Sequence, residues 1–124
     1  MNDINICSEN YLEVIYELSI KNPIVRSTDI ATVLNVSKPS VNKAMGILQS
    51  AQMITKEPYG SISLTKKGLC KAKELSTRHD TVKSFFVDIL KVDETVADND
   101  ACKIEHIISD ETINKLKEFM KNNK

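Results

Sequence analysis

In NYLEVIYELSIK, residues 10–21, apolar side chains fall at 11, 12, 14, 15 and 18, with polar ones between them. That spacing predicts an amphipathic helix with one buried stripe. Ser8 is placed to cap its start. Asn22-Pro23 closes it, because the residue before a proline avoids the α region.

The next stretch, STDIATVLN, predicts a short helix capped by Ser27 or Thr28 and burying Ile30, Ala31, Val33 and Leu34. NVSKPSVNKAMGILQSAQ predicts another, with Ser37 as cap and Lys38 and Pro39 in its first turn, where proline is tolerated. Its buried stripe is Val41, Ala44, Met45 and Leu48. Two short helices with a three- or four-residue joint form a helix-turn-helix pattern. MITKEPYGSISLT then reads as a hairpin, with strands Met53–Glu57 and Ser61–Leu64 and a Pro58-Tyr59-Gly60 turn. A hairpin directly after a helix-turn-helix is a wing.

Thr65 caps a long helix spanning about residues 66–91, with Leu69, Ala72, Leu75, Val82, Phe85, Phe86, Ile89 and Leu90 among its apolar positions. Asp93 caps a further helix. Ser109 begins the last, in which Ile113, Leu116 and Phe119 or Met120 face inward and the final KNNK frays. The expected fold is therefore mainly α with a small β wing. Residues 1–74 form a winged helix-turn-helix and residues 75–124 a helical domain, sharing the long helix.

Composition changes this picture only a little. Three Gly and three Pro in 124 residues suit a helix-rich fold. The N-terminal residues show no basic, apolar signal sequence, and no run is apolar enough to span a membrane, so a cytoplasmic protein is expected. Three cysteines without a CxxC argue against a disulfide framework, and Cys7 and Cys70 read as small buried hydrophobes.

Charge adds more. The net charge is zero, yet residues 21–73 hold nine Lys and Arg against Asp29 and Glu57, a balance of +7. A positive segment coinciding with a helix-turn-helix suggests a surface for a polyanion. The second helix of such a pair enters the major groove with its N-terminal residues at the base edges. Here those residues are Ser37, Lys38, Pro39, Ser40, Asn42 and Lys43. Asn42 and Lys43 suit base-edge hydrogen bonds, Pro39 a thymine methyl, and the two serines phosphates or bases. Lys56 on the wing, with Arg26, Lys66 and Lys67, suits phosphates.

The remaining chemistry lies in DACKIEHIIS, residues 100–109, where Cys102, Glu105 and His106 are spaced i, i+3, i+4 and share one helical face. Each is a transition-metal ligand type. His79 on the long helix, and Asn10 and Glu13 one turn apart on the first helix, are possible partners. From spacing alone, Glu105 and His106 fit an exposed helical pair equally well.

The chain resembles the diphtheria toxin repressor family of metal-dependent transcription regulators, which includes iron-dependent repressors and manganese transport regulators. The resemblance covers nearly the whole chain and rests on YLEVIYEL, TDIATVLNVSKPSVNKAMGILQSAQMI, LTKKG and DACKIEHIISDE. It implies a cytoplasmic homodimer binding a palindromic operator in double-stranded DNA. It matches Cys102, Glu105 and His106 to metal ligands, His79 to a ligand of a neighbouring site, and Glu13 to a carboxylate of manganese-type members. Asn10 stands where the family has Met or Asp. Lys83 and Asp98 stand where iron-type members place a Glu and a His. The chain resembles the short members without an SH3-like domain.

The function this implies is repression of metal-uptake genes in response to a divalent ion: Fe2+ first, Mn2+ next, with Co2+, Ni2+ or Zn2+ able to substitute. Three alternatives stand beside it. One is a metal-independent winged-helix repressor sensing a small molecule or oxidant through Cys102. Another is a structural zinc protein. The third, ranked far lower for want of an oxyanion device, is an enzyme using Cys102 and His106 as nucleophile and base.

Overall fold

The computed structural model describes residues 6–58 and 60–122, the side chain of Ile6 excepted. Tyr59, part of the expected hairpin turn, and the last two residues of KNNK lie outside the described residues. The chain divides into two compact units, one ending at Ala72 and the other beginning at Lys73.

The first unit contains α1 (Ile6–Lys21), β1 (Val25–Arg26), α2 (Ser27–Leu34), α3 (Lys38–Ser50), β2 (Ile54–Lys56), β3 (Ser61–Leu64) and the start of α4 (Lys66–Ser84). Its core is the expected apolar set: Leu12 and Ile15 from α1, Ile30 from α2, and Val41, Met45 and Leu48 from α3 are all but inaccessible. Burying side chains of this size contributes about 1.5–3 kcal/mol each.

α2 and α3 are joined as a helix-turn-helix. Asn35 closes α2 in the left-handed region (φ 53°), and the Val36 N–H then bonds to Ala31 O. Asparagine tolerates this conformation better than most residues. Ser37 caps α3, its Oγ accepting the Ser40 N–H at 3.3 Å. The wing pairs Ile54 with Leu64 and Lys56 with Ile62, antiparallel. Its turn is closed by a Gly60 N–H to Glu57 O bond, with Gly60 at φ 85°, a conformation glycine adopts without strain.

Several expectations are corrected. Ser8 is a buried residue inside α1, not its cap, because the helix begins earlier, at Ile6. α2 starts at Ser27, and Arg26 occupies the cap position, its N–H taken by the Asp29 carboxylate at 2.9 Å. Neither Ser27 nor Thr28 is the cap. Val33 is 55% exposed, since the eight residues of α2 turn only a narrow face to the core. A third strand, β1, adds to the wing with Val25 opposite Ile62. Two residues hold no period to read, so only their pairing defines them. Cys7 and Cys70 are exposed, not buried.

The second unit contains the rest of α4, a π-helical segment (Phe85–Ile89), α5 (Glu94–Ile104) and α6 (Asp110–Asn122). The long helix expected to run to about residue 91 keeps α-helical winding only to Ser84. It then widens, with Leu90 N–H bonding five residues back to Phe85 O, and ends at Lys91 (φ 61°). Val82, Ala101 and Ile113 are buried together, with Phe86, Ile104, Ile108 and Leu116 packed against them. Phe119 stacks edge-on against Phe85 at 5.9 Å but stays 40% exposed. Ile89 and Leu90, expected on the apolar stripe, are exposed because the widened turn carries them off it. Asp93 caps α5 and Ser109 caps α6, as expected.

Candidate metal centre

α5 is positioned by its small face: Ala97 and Ala101 are fully buried, which lets the helix approach its neighbours closely. Cys102 follows on the exposed side. α5 ends at Ile104, so Glu105 is its C-cap and His106 lies in the turn beyond it. The single helical face expected for Cys102, Glu105 and His106 is thus a helix end, and burial differs sharply along it. Cys102 is exposed, the His106 side chain is 2% exposed and Glu105 is wholly buried.

A buried carboxylate is costly unless charge and hydrogen bonds meet it. Glu105 is met by His79: Nδ1 of the imidazole lies 2.8 Å from Glu105 Oε1. His106 Nε2 stands 3.9 Å from Glu105 Oε2. Donor atoms of His79, Cys102 and Glu105 all lie within 4.8 Å of one another. A thiol, an imidazole and a carboxylate at that separation are a fitting donor set for a divalent transition ion. His79, in a polar stretch with no periodicity to mark it, is joined to the cluster only by the fold.

The other face of His79 is also engaged. Its Nε2 lies 2.9 Å from Asp98 Oδ1, and the same oxygen lies 3.4 Å from Lys83 Nζ. Lys83 Nζ also stands 3.6 Å from Glu94 Oε1. The bond from His79, and then the charges of His79 and Lys83, hold the Asp98 carboxyl below its ordinary range despite the opposing effect of burial.

Sequence reasoning missed Arg78. Its guanidinium is nearly buried and donates to Ile108 O at 2.9 Å, to Glu74 Oε1 at 3.2 Å and to Asp110, with a longer contact to Glu105 O at 3.5 Å. The last carbonyls of a helix lack intrahelical donors. Arg78 supplies them just past α5 and ties that turn to the first turn of α6. Nothing in STRHDT marks this arginine as buried.

In the first unit, Asn10 is exposed and Glu13 half-buried on α1. The residues expected at DNA are all exposed: Ser37, Lys38, Pro39, Ser40, Asn42 and Lys43 at the start of α3, Lys56 on β2 and Arg26 before α2. The Ser37 and Ser40 hydroxyls lie 2.9 Å apart, so the cap already engages both. Lys67, expected near phosphates, instead donates its Nζ to Ala51 O at 3.0 Å, closing the end of α3. Burial raises the Tyr11 hydroxyl above its usual value, with a further contribution from Cys7.

Residues 7–62 match the domain described as "Iron dependent repressor, N-terminal DNA binding domain", and residues 65–124 match "Iron dependent repressor, metal binding and dimerisation domain". The chain belongs to the iron dependent repressor family. An uncharacterized HTH-type transcriptional regulator of Methanocaldococcus jannaschii is 41% identical over 114 residues, 90% of each chain. Transcriptional regulator MntR of Salmonella typhimurium is 34% identical over 111 residues, 90% of this chain and 70% of the relative. The structure of the manganese regulator SloR superposes with a TM-score of 0.81 at 29% identity, covering 92% of this chain and 53% of that one. The chain therefore spans about half the length of that solved relative. The family is one of transcriptional regulators, so the nucleophile–base reading of Cys102 and His106 falls away. Among the described residues, no helix is long and apolar enough to cross a membrane.

Proposed function

We propose that the protein is a cytoplasmic, homodimeric repressor of metal-uptake genes that grips a palindromic operator more tightly when it holds a divalent cation. The observation that carries this reading is the convergence of His79, Cys102 and Glu105 donor atoms within 4.8 Å, in a chain whose other unit is a winged helix. His106 is proposed as a further ligand beside Glu105. Glu13 and Asn10 on α1 are proposed to add hard oxygen donors from the DNA-binding unit. Thiolate and imidazole favour Fe2+, and the carboxylates keep Mn2+ a competent second.

When bound, the ion supplies positive charge and directional bonds to these side chains. The chain's own residues do the rest. Asn42 and Lys43 read base edges, Pro39 meets a thymine methyl, and Arg26, Lys38 and Lys56 neutralise phosphates, with Ser37 and Ser40 placed against the backbone. The bound ion is proposed to constrain how the two reading heads of a dimer are spaced, and operator half-sites demand a set spacing. The coupling needs only about 1–3 kcal/mol, and DNA must then tighten ion binding equally.

The exposed thiol of Cys102 favours one second reading, a repressor that needs no ion and responds to an oxidant at that sulfur. Anaerobic operator titrations of chelator-stripped protein with Fe2+, Mn2+, Co2+ and Zn2+ separate the two. The metal reading expects weak binding until the ion is added, and no response from Cys102→Ala or Glu105→Ala. Full operator affinity in chelator overturns it.

A further inference from the structure

His79 has a carboxylate oxygen against each ring nitrogen, Glu105 Oε1 at Nδ1 (2.8 Å) and Asp98 Oδ1 at Nε2 (2.9 Å). The two carboxylates are not equivalent. Glu105 is wholly buried beside Cys102, whereas the Asp98 side chain is 49% exposed. Asp98 Oδ1 is shared between His79 Nε2 and the Lys83 ammonium at 3.4 Å, and Glu94 faces the same ammonium at 3.6 Å.

We infer that Asp98 is a positioning residue rather than a metal ligand: braced by Lys83, it holds His79 Nε2 and so aims Nδ1 at the pocket of Cys102 and Glu105. This rests on the metal-site reading above and deepens it. Each ring nitrogen faces a carboxylate oxygen, and position separates them: Asp98 engages Nε2 on the exposed side, outside the cluster of Cys102 and Glu105. The nitrogen that remains for an ion is then Nδ1, on the side where the thiol and the buried carboxylate stand. Ligating histidines are commonly oriented in this way by a carboxylate on the far nitrogen. The Lys83 ammonium adds a consequence. It already supplies a positive charge to Asp98 and Glu94, so these two carboxylates do not assemble a cation site of their own.

The experiment uses the full chain with Zn2+ or Co2+ as the probe, titrated calorimetrically with circular dichroism as the control for folding. Asp98→Ala keeps the wild-type stoichiometry and binds about 10–100-fold more weakly, the cost usual for losing such a partner. Asp98→Asn, which keeps an acceptor oxygen, falls between the two, and Lys83→Met shows a smaller loss in the same direction. Long-range 1H–15N spectra of the Zn2+-loaded protein show His79 with a protonated Nε2 and a metal-bound Nδ1.

Three results overturn the inference: loss of an ion from the stoichiometry in Asp98→Ala, unchanged affinity in Asp98→Ala, or a metal-bound Nε2. Failure of the underlying reading looks different, since Cys102→Ala and Glu105→Gln then bind the ion like wild type.

Discussion

His79 Nδ1 stands 2.8 Å from Glu105 Oε1, across 26 positions of sequence. This pair joins α4 to the end of α5, and it explains how a carboxylate with no solvent exposure is tolerated in so small a unit. The same segment is held from behind by Arg78, so two adjacent residues of α4 grip one turn. His79 takes its side chain and Arg78 its backbone.

Replacing Cys102 by serine tests the sulfur directly. Thiolate ligation of Co2+ gives intense near-ultraviolet charge-transfer absorption, expected in wild type and absent from Cys102→Ser. Because serine presents a hard oxygen, affinity for Co2+ and Fe2+ is expected to fall more than affinity for Mn2+. Equal losses for all three ions in parallel titrations count against a sulfur ligand.

At the DNA face, Lys56→Ala and Asn42→Ala are expected to behave differently although both residues are exposed, one on β2 and the other on α3. Losing a phosphate contact at Lys56 lowers the slope of log affinity against log salt by about 1. Losing a base-edge contact at Asn42 leaves that slope unchanged and costs about 1–3 kcal/mol at one operator position. Binding of ion-loaded protein to a panel of single-base operator variants at several salt concentrations reads both effects.

Gly68 sits where α4 passes the start of the wing, and a Cβ built there runs into the backbone carbonyl of Met53. That carbonyl is itself held by the Thr65 N–H at 3.0 Å, so it has little room to retreat. Gly68→Ala is expected to destabilise the first unit by at least the ~1–3 kcal/mol typical of overpacking. Gly46, with open space around its Cβ position, serves as the control. Gly46→Ala is expected to be neutral or mildly stabilising, because alanine is the better helix former. Urea midpoints of the two variants make the comparison.

Arg78→Met is expected to destabilise the second unit by about 1–3 kcal/mol, the cost of leaving buried acceptors unmet. The cost is not larger because its carboxylate partners, Glu74 and Asp110, are 45% and 82% exposed and water can take over their charge. Amide exchange focused on residues 105–110 locates the effect. Protection there equal to wild type removes the clamp from the account.

Much of the fold was legible in one dimension. The 3.6-residue period marked α1 and α3, and Ser37, Thr65, Asp93 and Ser109 sit where helices start. Thr65 shows why such signals work. Its Oγ1 accepts the Gly68 N–H at 3.0 Å, a bond made within one turn of chain. The signal failed where the deciding contact is distant. Ser8 looks like a cap, yet it is buried and packed inside α1. β1 exists because Val25 meets Ile62. The widening at Phe85–Ile89 leaves no mark in an apolar pattern that continues through it.

The sequence by itself determined the helical class, the helix-turn-helix with its wing, the charge bias toward a polyanion and the types of donor atom. These follow from periodicity, capping and composition, all of which act over a few residues. Only the tertiary structure decided that Glu105 is buried and Cys102 exposed, that His79 reaches Glu105 with one nitrogen and Asp98 with the other, and that Arg78 braces the turn. Those facts depend on packing α4 against the end of α5, and contacts between residues tens of positions apart leave no local pattern to read.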